Sequence, residues 1–276
     1  MFSVPKDVEC SSPEVATSIV SAQTGFVFGD FVVTAAHGVS SGKACIAAEG
    51  RILNARLAGI DDKWDLAFLE VPKELGRVHA LELDRSAEHV GELVIVVGMN
   101  RGSLNPYVSI GVVCSEGVSV KIQDKTVEGV MQVHTYVPRG TSGSPVLGSN
   151  GKIVGMIIGV DYGGSIAYAV PAQAILNDYR LVSRGISPSS RIKLGVKVLA
   201  TRDGLMVLHV KEGSVAWNVG LRSGDVIREC YTCGKHVKTI SLWDLWSCID
   251  GALLCGEALE LTVAREGNVK RVKVST

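Results

Sequence analysis

The chain has 276 residues, of which 46% are hydrophobic and 20% are charged, with 31 Gly and only 8 Pro. This length suits two modest domains, and the composition excludes an intrinsically disordered chain. Lys plus Arg and Asp plus Glu are balanced at 28 each, so no net charge favours nucleic acid or an anionic membrane surface as a partner.

The first part of the chain, from Ser18 to about Tyr168, is a series of short β-branched runs separated by turns. The predicted strands are Gly25 to Thr34, Asp65 to Val71, Leu93 to Val97, Val108 to Val113, Val130 to Val133 and Ile153 to Val160. Strands that recur at such short intervals, with almost no helical periodicity, predict a β-barrel or a β-sandwich. Just after Pro171 the apolar spacing changes and predicts one short helix that closes this domain.

A second domain is predicted after the stretch Val182 to Ser190, which has the Gly, Pro and Ser content of a linker. Helices are predicted at Ser214 to Val219 and at Ser241 to Ile249. The strand-like runs here are Leu205 to Val210, Asp225 to Cys230, Ala258 to Arg265 and Val269 to Val274. This inventory indicates a small α+β module, so the predicted domains are residues 1–182 and 191–276.

The chain has no apolar stretch near the roughly 18 to 20 residues that cross a bilayer, so no membrane span is predicted. Met1 to Cys10 lacks the basic start and apolar core of a secretory signal, so either the protein stays inside or a leader has been removed. Seven Cys without regular spacing argue against a disulfide framework and for a reducing compartment. We therefore expect a cytoplasmic location.

Three local features occur in order along the first domain. The apolar run that starts at Phe31 ends in small residues before His37; Asp65 directly precedes a strongly apolar strand; and Ser142 has glycines close on both sides, in a turn with exposed backbone amides. Taken alone, each has an ordinary explanation. Such a His is usually structural or exposed, an Asp before a strand is usually a turn residue, and Gly-Ser turns are common.

Together the three features are far more specific, because acyl transfer needs all of these parts. A serine hydroxyl is a poor nucleophile until an imidazole takes its proton, and a carboxylate must fix the imidazole tautomer and stabilise its cation. We therefore predict His37, Asp65 and Ser142 as a catalytic triad. The backbone amides of Gly140 and Ser142 are predicted to form the oxyanion hole.

The ordered motifs TAAH, DLAFLEV and GTSGSPVL, followed by GKIVGMIIG and AYAVP, resemble the trypsin-like domain of HtrA/Deg serine proteases. The resemblance covers nearly the whole chain and implies a mainly β, trypsin-like double β-barrel. It implies a serine endopeptidase that hydrolyses unfolded or damaged proteins. No nucleotide-binding loop occurs, so we expect ATP-independent activity with no cofactor and no metal. The family also implies a homo-oligomer, commonly a trimer formed through a segment before the first barrel, although few residues precede the first predicted strand here.

The second domain contains a stretch similar to the PDZ signature, in which an apolar helix at Gly213 to Ala216 leads into the Gly-Asp turn of Gly220 to Ile227. In PDZ domains an extended peptide adds as a strand, and a loop of backbone amides captures its terminal carboxylate. Leu194, Gly195 and Val196 match the position of that loop. The family opens its active site when loops become ordered, which here implicates Gly98 to Tyr107.

The nucleophile turn departs from the usual family sequence Gly-Asn-Ser-Gly-Gly-Pro, because Thr141 replaces the Asn and Ser144 replaces the second Gly. A β-branched Thr disfavours strained backbone, so the sequence allows a displaced oxyanion turn in the resting state. That leaves open the alternative of a proteolytically silent, peptide-binding or chaperone-like protein. His134 stands where the family commonly has an acidic residue, and we expect a surface or turn histidine there.

Tyr136 lies six residues before Ser142, a position that often forms the base of the primary specificity pocket in trypsin-like enzymes, with Val137 beside it. No acidic residue stands there, so we predict cleavage after small or medium aliphatic residues rather than after Arg or Lys. The C-x-x-C spacing of Cys230 and Cys233 has no second such pair and no following helix start, so no redox or zinc role is expected.

Overall fold

The structure is a computed structural model that describes residues 10, 23–39, 43–48, 51–76, 78–84, 89–99, 105–122, 125–138, 140–161 and 163–275. The chain divides into two compact units, Met1–Ser189 and Ser190–Thr276. Part of the loop between Gly98 and Tyr107, residues 100–104, lies outside the described residues. Among the described residues, no helix has the length and apolar character needed to cross a membrane.

The first unit begins with a five-stranded antiparallel sheet in the order β1-β2-β5-β4-β3. Its strands are β1 (Gly25–Phe28), β2 (Phe31–Ala35), β3 (Lys43–Ala48), β4 (Arg51–Asp61) and β5 (Leu66–Glu70). The run predicted as one strand from Gly25 to Thr34 is a β-hairpin, because Gly29 takes a positive φ of 56° and turns the chain. All five residues of β2 are buried, which places this strand in the core.

The second half of the unit is a closed antiparallel barrel in the order β10-β11-β8-β7-β6-β9. Its strands are β6 (Leu93–Met99), β7 (Pro106–Ile122), β8 (Lys125–His134), β9 (Pro145–Leu147), β10 (Ile153–Val160) and β11 (Ile166–Pro171). The predicted closing helix is α1 (Ala172–Val182), which follows Pro171 directly. The prediction of a mainly β fold is confirmed.

The second unit is a sheet in the order β12-β13-β14-β16-β17, with β15 paired to β14. Its elements are β12 (Val196–Thr201), β13 (Gly204–Val210), α2 (Val215–Asn218), β14 (Val226–Thr232), β15 (Lys235–Lys238), α3 (Leu242–Cys255), β16 (Leu259–Arg265) and β17 (Asn268–Val274). Helix α3 begins at a capping box, in which the Ser241 hydroxyl accepts from the Asp244 amide and the Asp244 carboxylate accepts from the Ser241 amide. Strand β12 lies at the edge of the sheet, so one side of its backbone pairs with no described strand.

Disulfides join six of the cysteines, and the prediction that the chain lacks a disulfide framework was wrong. The bonds are Cys10–Cys45, Cys230–Cys248 and Cys233–Cys255, and Cys114 is a free, exposed thiol. The pairing could not be predicted from the spacing of the cysteines, because the partners lie on different elements that only the fold brings together.

The two bonds of the second unit join β14, or the turn that follows it, to α3. Cys230 lies within β14 and Cys233 in the turn after it, whereas Cys248 and Cys255 both lie in α3. The C-x-x-C cysteines accordingly pair with the helix rather than with each other.

Candidate active site

His37 and Asp65 form a doubly hydrogen-bonded pair at one end of the first sheet. The imidazole Nδ1 of His37 lies 2.5 Å from Oδ2 of Asp65, and the backbone amide of His37 donates to Oδ1 at 2.7 Å. The Asp65 side chain is 12% exposed and the His37 side chain 25% exposed. The carboxylate is thus largely shielded, whereas the ring keeps an accessible side.

The pairing of β2 with β5 brings these two residues together. The register places Ala35 opposite Leu66, and the amide of Ala36 donates to the backbone oxygen of Asp65 at 2.8 Å. After Ala35 the chain turns into a short 3₁₀ helix, Ala36–Gly38, which carries His37 out of the buried strand. Two residues far apart in sequence therefore become neighbours through strand register alone.

Asp65 has a left-handed backbone conformation, with a φ of 55°. Few non-glycine residues adopt this region, although Asp and Asn tolerate it better than most. The conformation costs free energy that the surrounding structure must offset, and such residues cluster at functional sites. The three hydrogen bonds from Ala36 and His37 hold it in place.

Ser142 lies in a tight turn that is hydrogen-bonded to the closed barrel of the first unit. Within the turn, the amide of Ser144 donates to the Thr141 carbonyl at 2.9 Å. The amide of Gly143 donates to the Ile157 carbonyl of β10 at 2.7 Å and so attaches the turn to the barrel. Gly143 has a φ of 83°, and a Cβ there would lie 2.0 Å from the Thr24 carbonyl oxygen. Only glycine fits this position.

The amide of Ser142 lies on the opposite side of its peptide from the Thr141 carbonyl. Since the carbonyl of the Thr141–Ser142 peptide is bound by the Ser144 amide, the N–H of the same trans peptide faces the opposite side. Among the described residues, neither the Ser142 amide nor the Gly140 amide donates a backbone hydrogen bond. In the described part of the chain, the backbone hydrogen bonds that hold the turn therefore use neither amide.

The structure accommodates both departures in the turn. Thr141 is 3% exposed, and its hydroxyl donates to the Pro138 carbonyl at 2.7 Å. This bond and its burial hold the β-branched side chain inside the turn. Ser144 is fully buried, and its hydroxyl makes no hydrogen bond to any described residue. A Cβ on Gly98 would lie 2.3 Å from that hydroxyl oxygen.

Ser142 and His37 belong to separate turns, and no hydrogen bond joins the Ser142 side chain to the His37 ring among the described contacts. The turns are nevertheless close, because a Cβ on Gly143 would lie 2.6 Å from Oγ1 of Thr34, in the strand that leads to His37. Hydrogen bonds between a nucleophile and its base are often loose before substrate binds.

Tyr136 does not form the base of a closed pocket, contrary to the role considered from its sequence position. Its side chain is 67% exposed, while Thr135 and Val137 on either side are each 5% exposed. The alternation turns Tyr136 outward and Val137 into the barrel core. His134, at the end of β8, is exposed, as expected for a surface histidine.

The three residues named for peptide-end capture lie at the start of the second unit's edge strand. Leu194 is 5% exposed, and its carbonyl accepts from the Ala216 amide at 2.9 Å. Gly195 has a φ of 77°, and a Cβ there would lie 2.4 Å from Cβ of Ser214. Val196 begins β12. The loop is therefore fixed against the start of α2.

Sequence reasoning missed Gln23 and Thr24, which lie between the His37 turn and the Ser142 turn. Gln23 donates to the backbone oxygen of Ala35, and Thr24 donates to the backbone oxygens of Gly140 and Ser142. Neither residue has a chemical signature in the sequence, because a Gln-Thr pair before a strand is common. Within the described part of the chain, no cluster of His, Cys, Asp or Glu could hold a metal ion.

With this geometry established, comparison with known proteins identifies a family. Residues 16–156 match the model described as the trypsin-like peptidase domain, a span that contains His37, Asp65 and Ser142. A probable periplasmic DegP-like serine endoprotease of Rhizobium meliloti is 30% identical over 262 residues, covering 88% of this chain and 50% of that protein. The periplasmic serine endoprotease DegP of Escherichia coli is 28% identical over 246 residues, covering 83% of this chain and 49% of that protein.

Solved structures agree with the fold. The HtrA-type protease AlgW with a decapeptide superposes with a TM-score of 0.65 at 20% identity, covering 92% of this chain and 81% of that one. The serine endoprotease from Yersinia pestis gives a TM-score of 0.61 at 18% identity, covering 99% of this chain and 91% of that one. The trypsin-like fold prediction is thus confirmed. The chain spans about half the length of the curated relatives it matches.

The expectation of a cytoplasmic location is contradicted. The relatives in Rhizobium meliloti and Escherichia coli are named periplasmic proteases. The cysteine argument that supported the cytoplasm fails as well, because six of the seven cysteines form disulfides, and disulfides persist in oxidising compartments.

Proposed function

This chain belongs to the trypsin-like peptidase family, and we propose that it is a serine endopeptidase that uses His37, Asp65 and Ser142 to hydrolyse peptide bonds. The observation that carries the proposal is the His37–Asp65 pair, in which one carboxylate binds both the ring Nδ1 and the backbone amide of the same histidine. This arrangement fixes the tautomer in which Nε2 is free to accept a proton.

The reaction follows from the roles of the three side chains. As Oγ of Ser142 attacks the scissile carbonyl, Nε2 of His37 takes its proton, and the negative carboxylate of Asp65 stabilises the imidazolium that forms. The carbonyl oxygen becomes an oxyanion that accepts hydrogen bonds from the amides of Gly140 and Ser142. His37 then protonates the leaving amine, and a water molecule deprotonated by His37 releases the acyl group from Ser142.

The proposed substrates are unfolded or damaged proteins, hydrolysed without ATP. The HtrA-type and DegP relatives support proteolysis over a silent binding protein. The packing of Thr141 supports it too, because the side chain that raised the silent alternative is buried and hydrogen-bonded within the turn. The test is hydrolysis of denatured, fluorescently labelled casein by the full chain, with Ser142→Ala as the matched control. Equal rates for both proteins would refute the proposal.

We also propose that the second unit is a PDZ-type domain that binds the C-terminal end of a peptide. The peptide adds to the edge strand β12, and backbone amides of the loop at residues 194–196 hold its carboxylate. The edge position of β12 and the positive φ of Gly195 support this assignment. The HtrA-type protease AlgW was solved with a decapeptide, which is consistent with peptide binding by a protein of this fold.

Two comparisons test the peptide site. An apolar hexapeptide with a free C-terminal carboxylate should bind more tightly than its C-terminal amide, as measured by fluorescence polarisation. Gly195→Ala should abolish the difference in affinity between the two peptides, because a Cβ there would clash with the side chain of Ser214. Gly267→Ala is the matched control, since Gly267 also has a positive φ, of 82°, but a Cβ there would contact nothing within 4 Å. Equal affinity for acid and amide would rule out carboxylate capture.

A further inference from the structure

Thr24 binds both carbonyl groups that flank the Thr141–Ser142 peptide. Its backbone amide donates to the Ser142 oxygen at 2.9 Å, and its hydroxyl donates to the Gly140 oxygen at 3.2 Å. Thr24 is 6% exposed, so these bonds are shielded from water. The orientation of the peptide that supplies the Ser142 amide is therefore constrained from both sides.

The hydroxyl of Thr24 also accepts a hydrogen bond from the amide of Met99, at 3.0 Å. Met99 is the last residue of β6. A single hydroxyl thus donates to the nucleophile turn and accepts from the end of a barrel strand. A threonine hydroxyl has one proton and two lone pairs, so it can make both bonds at once.

Gln23, the preceding residue, makes the corresponding contacts to the histidine turn. Its side-chain Nε2 donates to the Ala35 oxygen at 2.6 Å and to Oγ1 of Thr34 at 2.9 Å. Gly38, just after the histidine, packs so closely that a Cβ there would lie 1.9 Å from the Gln23 amide oxygen. Gln23 is 5% exposed.

A third bond links the two sets of contacts. The hydroxyl of Thr34 donates to the backbone oxygen of Thr24 at 2.7 Å. Thr34 lies in β2, three residues before His37. Two consecutive residues, Gln23 and Thr24, are therefore connected to both turns through a continuous buried hydrogen-bond network.

We propose that Gln23 and Thr24 are positioning residues that set the distance and orientation between the His37 turn and the Ser142 turn. Displacement of a catalytic group by about 1 Å can cost on the order of 10²-fold in rate, so a buried connection between the two turns is directly relevant to turnover. Thr24 acts on the oxyanion hole through the peptide bonds that it holds, and Gln23 acts on the base through the Ala35 carbonyl. The inference rests on the proposed peptidase function.

The test compares Thr24→Val, which keeps the shape and removes the hydroxyl, with Thr24→Ser, which keeps the hydroxyl. For Thr24→Val we expect kcat on denatured casein to fall by roughly 10- to 100-fold with little change in KM, somewhat less than the loss of an oxyanion-hole donor itself. Thr24→Ser should restore most of the rate. Thr239→Val is the matched control, because Thr239 is a fully buried threonine of the second unit whose hydroxyl also donates to a backbone oxygen.

Hydrogen exchange provides a readout that does not depend on turnover. In Thr24→Val, peptide fragments that cover residues 140–144 should exchange faster than in the wild type, while fragments of the second unit should be unchanged. Gln23→Met should instead raise exchange in fragments that cover residues 34–38. Thermal unfolding of each variant shows whether the fold is retained.

The outcomes separate the two proposals. An active wild type whose kcat is unchanged in Thr24→Val would overturn the positioning role and leave the peptidase function intact. A wild type that hydrolyses no substrate would overturn the peptidase function. In that case unchanged exchange over residues 140–144 in Thr24→Val would also overturn the positioning of the turn by Thr24, and faster exchange there would support it.

Discussion

The carboxylate of Asp65 binds His37 twice, through the ring Nδ1 at 2.5 Å and through the backbone amide at 2.7 Å. Each oxygen of the carboxylate takes one of these bonds, so the carboxylate is oriented by the backbone as well as by the ring. The same residue has a positive φ that its neighbours hold in place. Position and charge of this one side chain therefore determine how the imidazole can act.

Replacement of Asp65 by Asn should leave the fold intact and remove most of the activity. The amide can still bond to the imidazole, but it favours the wrong tautomer and cannot stabilise the cation, so we expect kcat to fall by about 10⁴-fold. The measurement is steady-state hydrolysis with circular dichroism as the control for folding. Retention of more than a tenth of the wild-type rate would contradict the role of Asp65.

Replacement of Ser144 by Ala should not destabilise the protein, although Ser144 is fully buried. Its hydroxyl has no hydrogen-bond partner among the described residues, and an unpaired buried hydroxyl costs roughly 1 to 3 kcal/mol. We therefore expect a free energy of unfolding that is equal or higher by about 1 kcal/mol. The comparison is Thr141→Ala, whose hydroxyl does have a partner and whose loss should destabilise. A loss of stability in Ser144→Ala would mean that the hydroxyl is satisfied.

The stability of the second unit should depend on the disulfide between Cys233 and Cys255, which holds the exposed end of α3. The two cysteines are 22 residues apart in sequence, and closing a loop of that size contributes about 3 kcal/mol in the chain-entropy description. The double replacement Cys233→Ser with Cys255→Ser should lower the denaturant midpoint of the second unit. Cys114→Ser is the control, because Cys114 is free. An unchanged midpoint in the double variant would show that the bond contributes nothing.

Acidic pH should lower the free energy of unfolding of the second unit, because it protonates Asp225. Burial raises the pKa of this carboxyl, but hydrogen bonds from the Arg265 guanidinium and the Arg222 amide more than offset it, so the pKa lies below its usual range. A carboxyl whose pKa is lowered on folding adds stability above the unfolded pKa of about 3.9, and this stability is lost as the pH falls through the folded pKa.

The Asp225→Asn variant should therefore be less stable than the wild type by about 2 kcal/mol at pH 7, typical of a hydrogen bond to a charged group. The difference should shrink as the pH falls below about 4, the usual pKa of the carboxyl. Chemical denaturation at a series of pH values measures it, with the exposed carboxylate variant Asp203→Asn as the control. A difference that is constant across the acidic range would show that the charge of Asp225 is not involved.

Local sequence pattern predicted those parts of the fold that depend on near neighbours in the chain. Short β-branched runs identified most of the strands, and the helix predicted from Ser241 to Ile249 corresponds to the first part of α3 (Leu242–Cys255), since these signals act within a few residues. The hairpin at Gly29 was missed because both of its strands are apolar and only Gly29 and Asp30 separate them.

The remainder depends on contacts between distant residues. The disulfides join separate parts of the fold, and the spacing of their cysteines in the sequence carries no regular signal. The network of Gln23 and Thr24 is formed largely with backbone groups, which every residue possesses, so nothing in the sequence distinguishes the ones that are bound. Side-chain identity predicted the candidate chemistry of the site. The hydrogen bonds that hold the site residues in place can be seen only in the folded structure.

The most direct test of the central claim is covalent labelling of Ser142. The full chain, incubated with a fluorophosphonate in the presence of an unfolded substrate, should gain one adduct, and peptide mapping by mass spectrometry should place it on Ser142. His37→Ala should reduce the labelling rate strongly, because the hydroxyl would lose its base. Absence of an adduct on Ser142 in the wild type, under these stimulating conditions, would contradict the proposal that this chain is a serine peptidase.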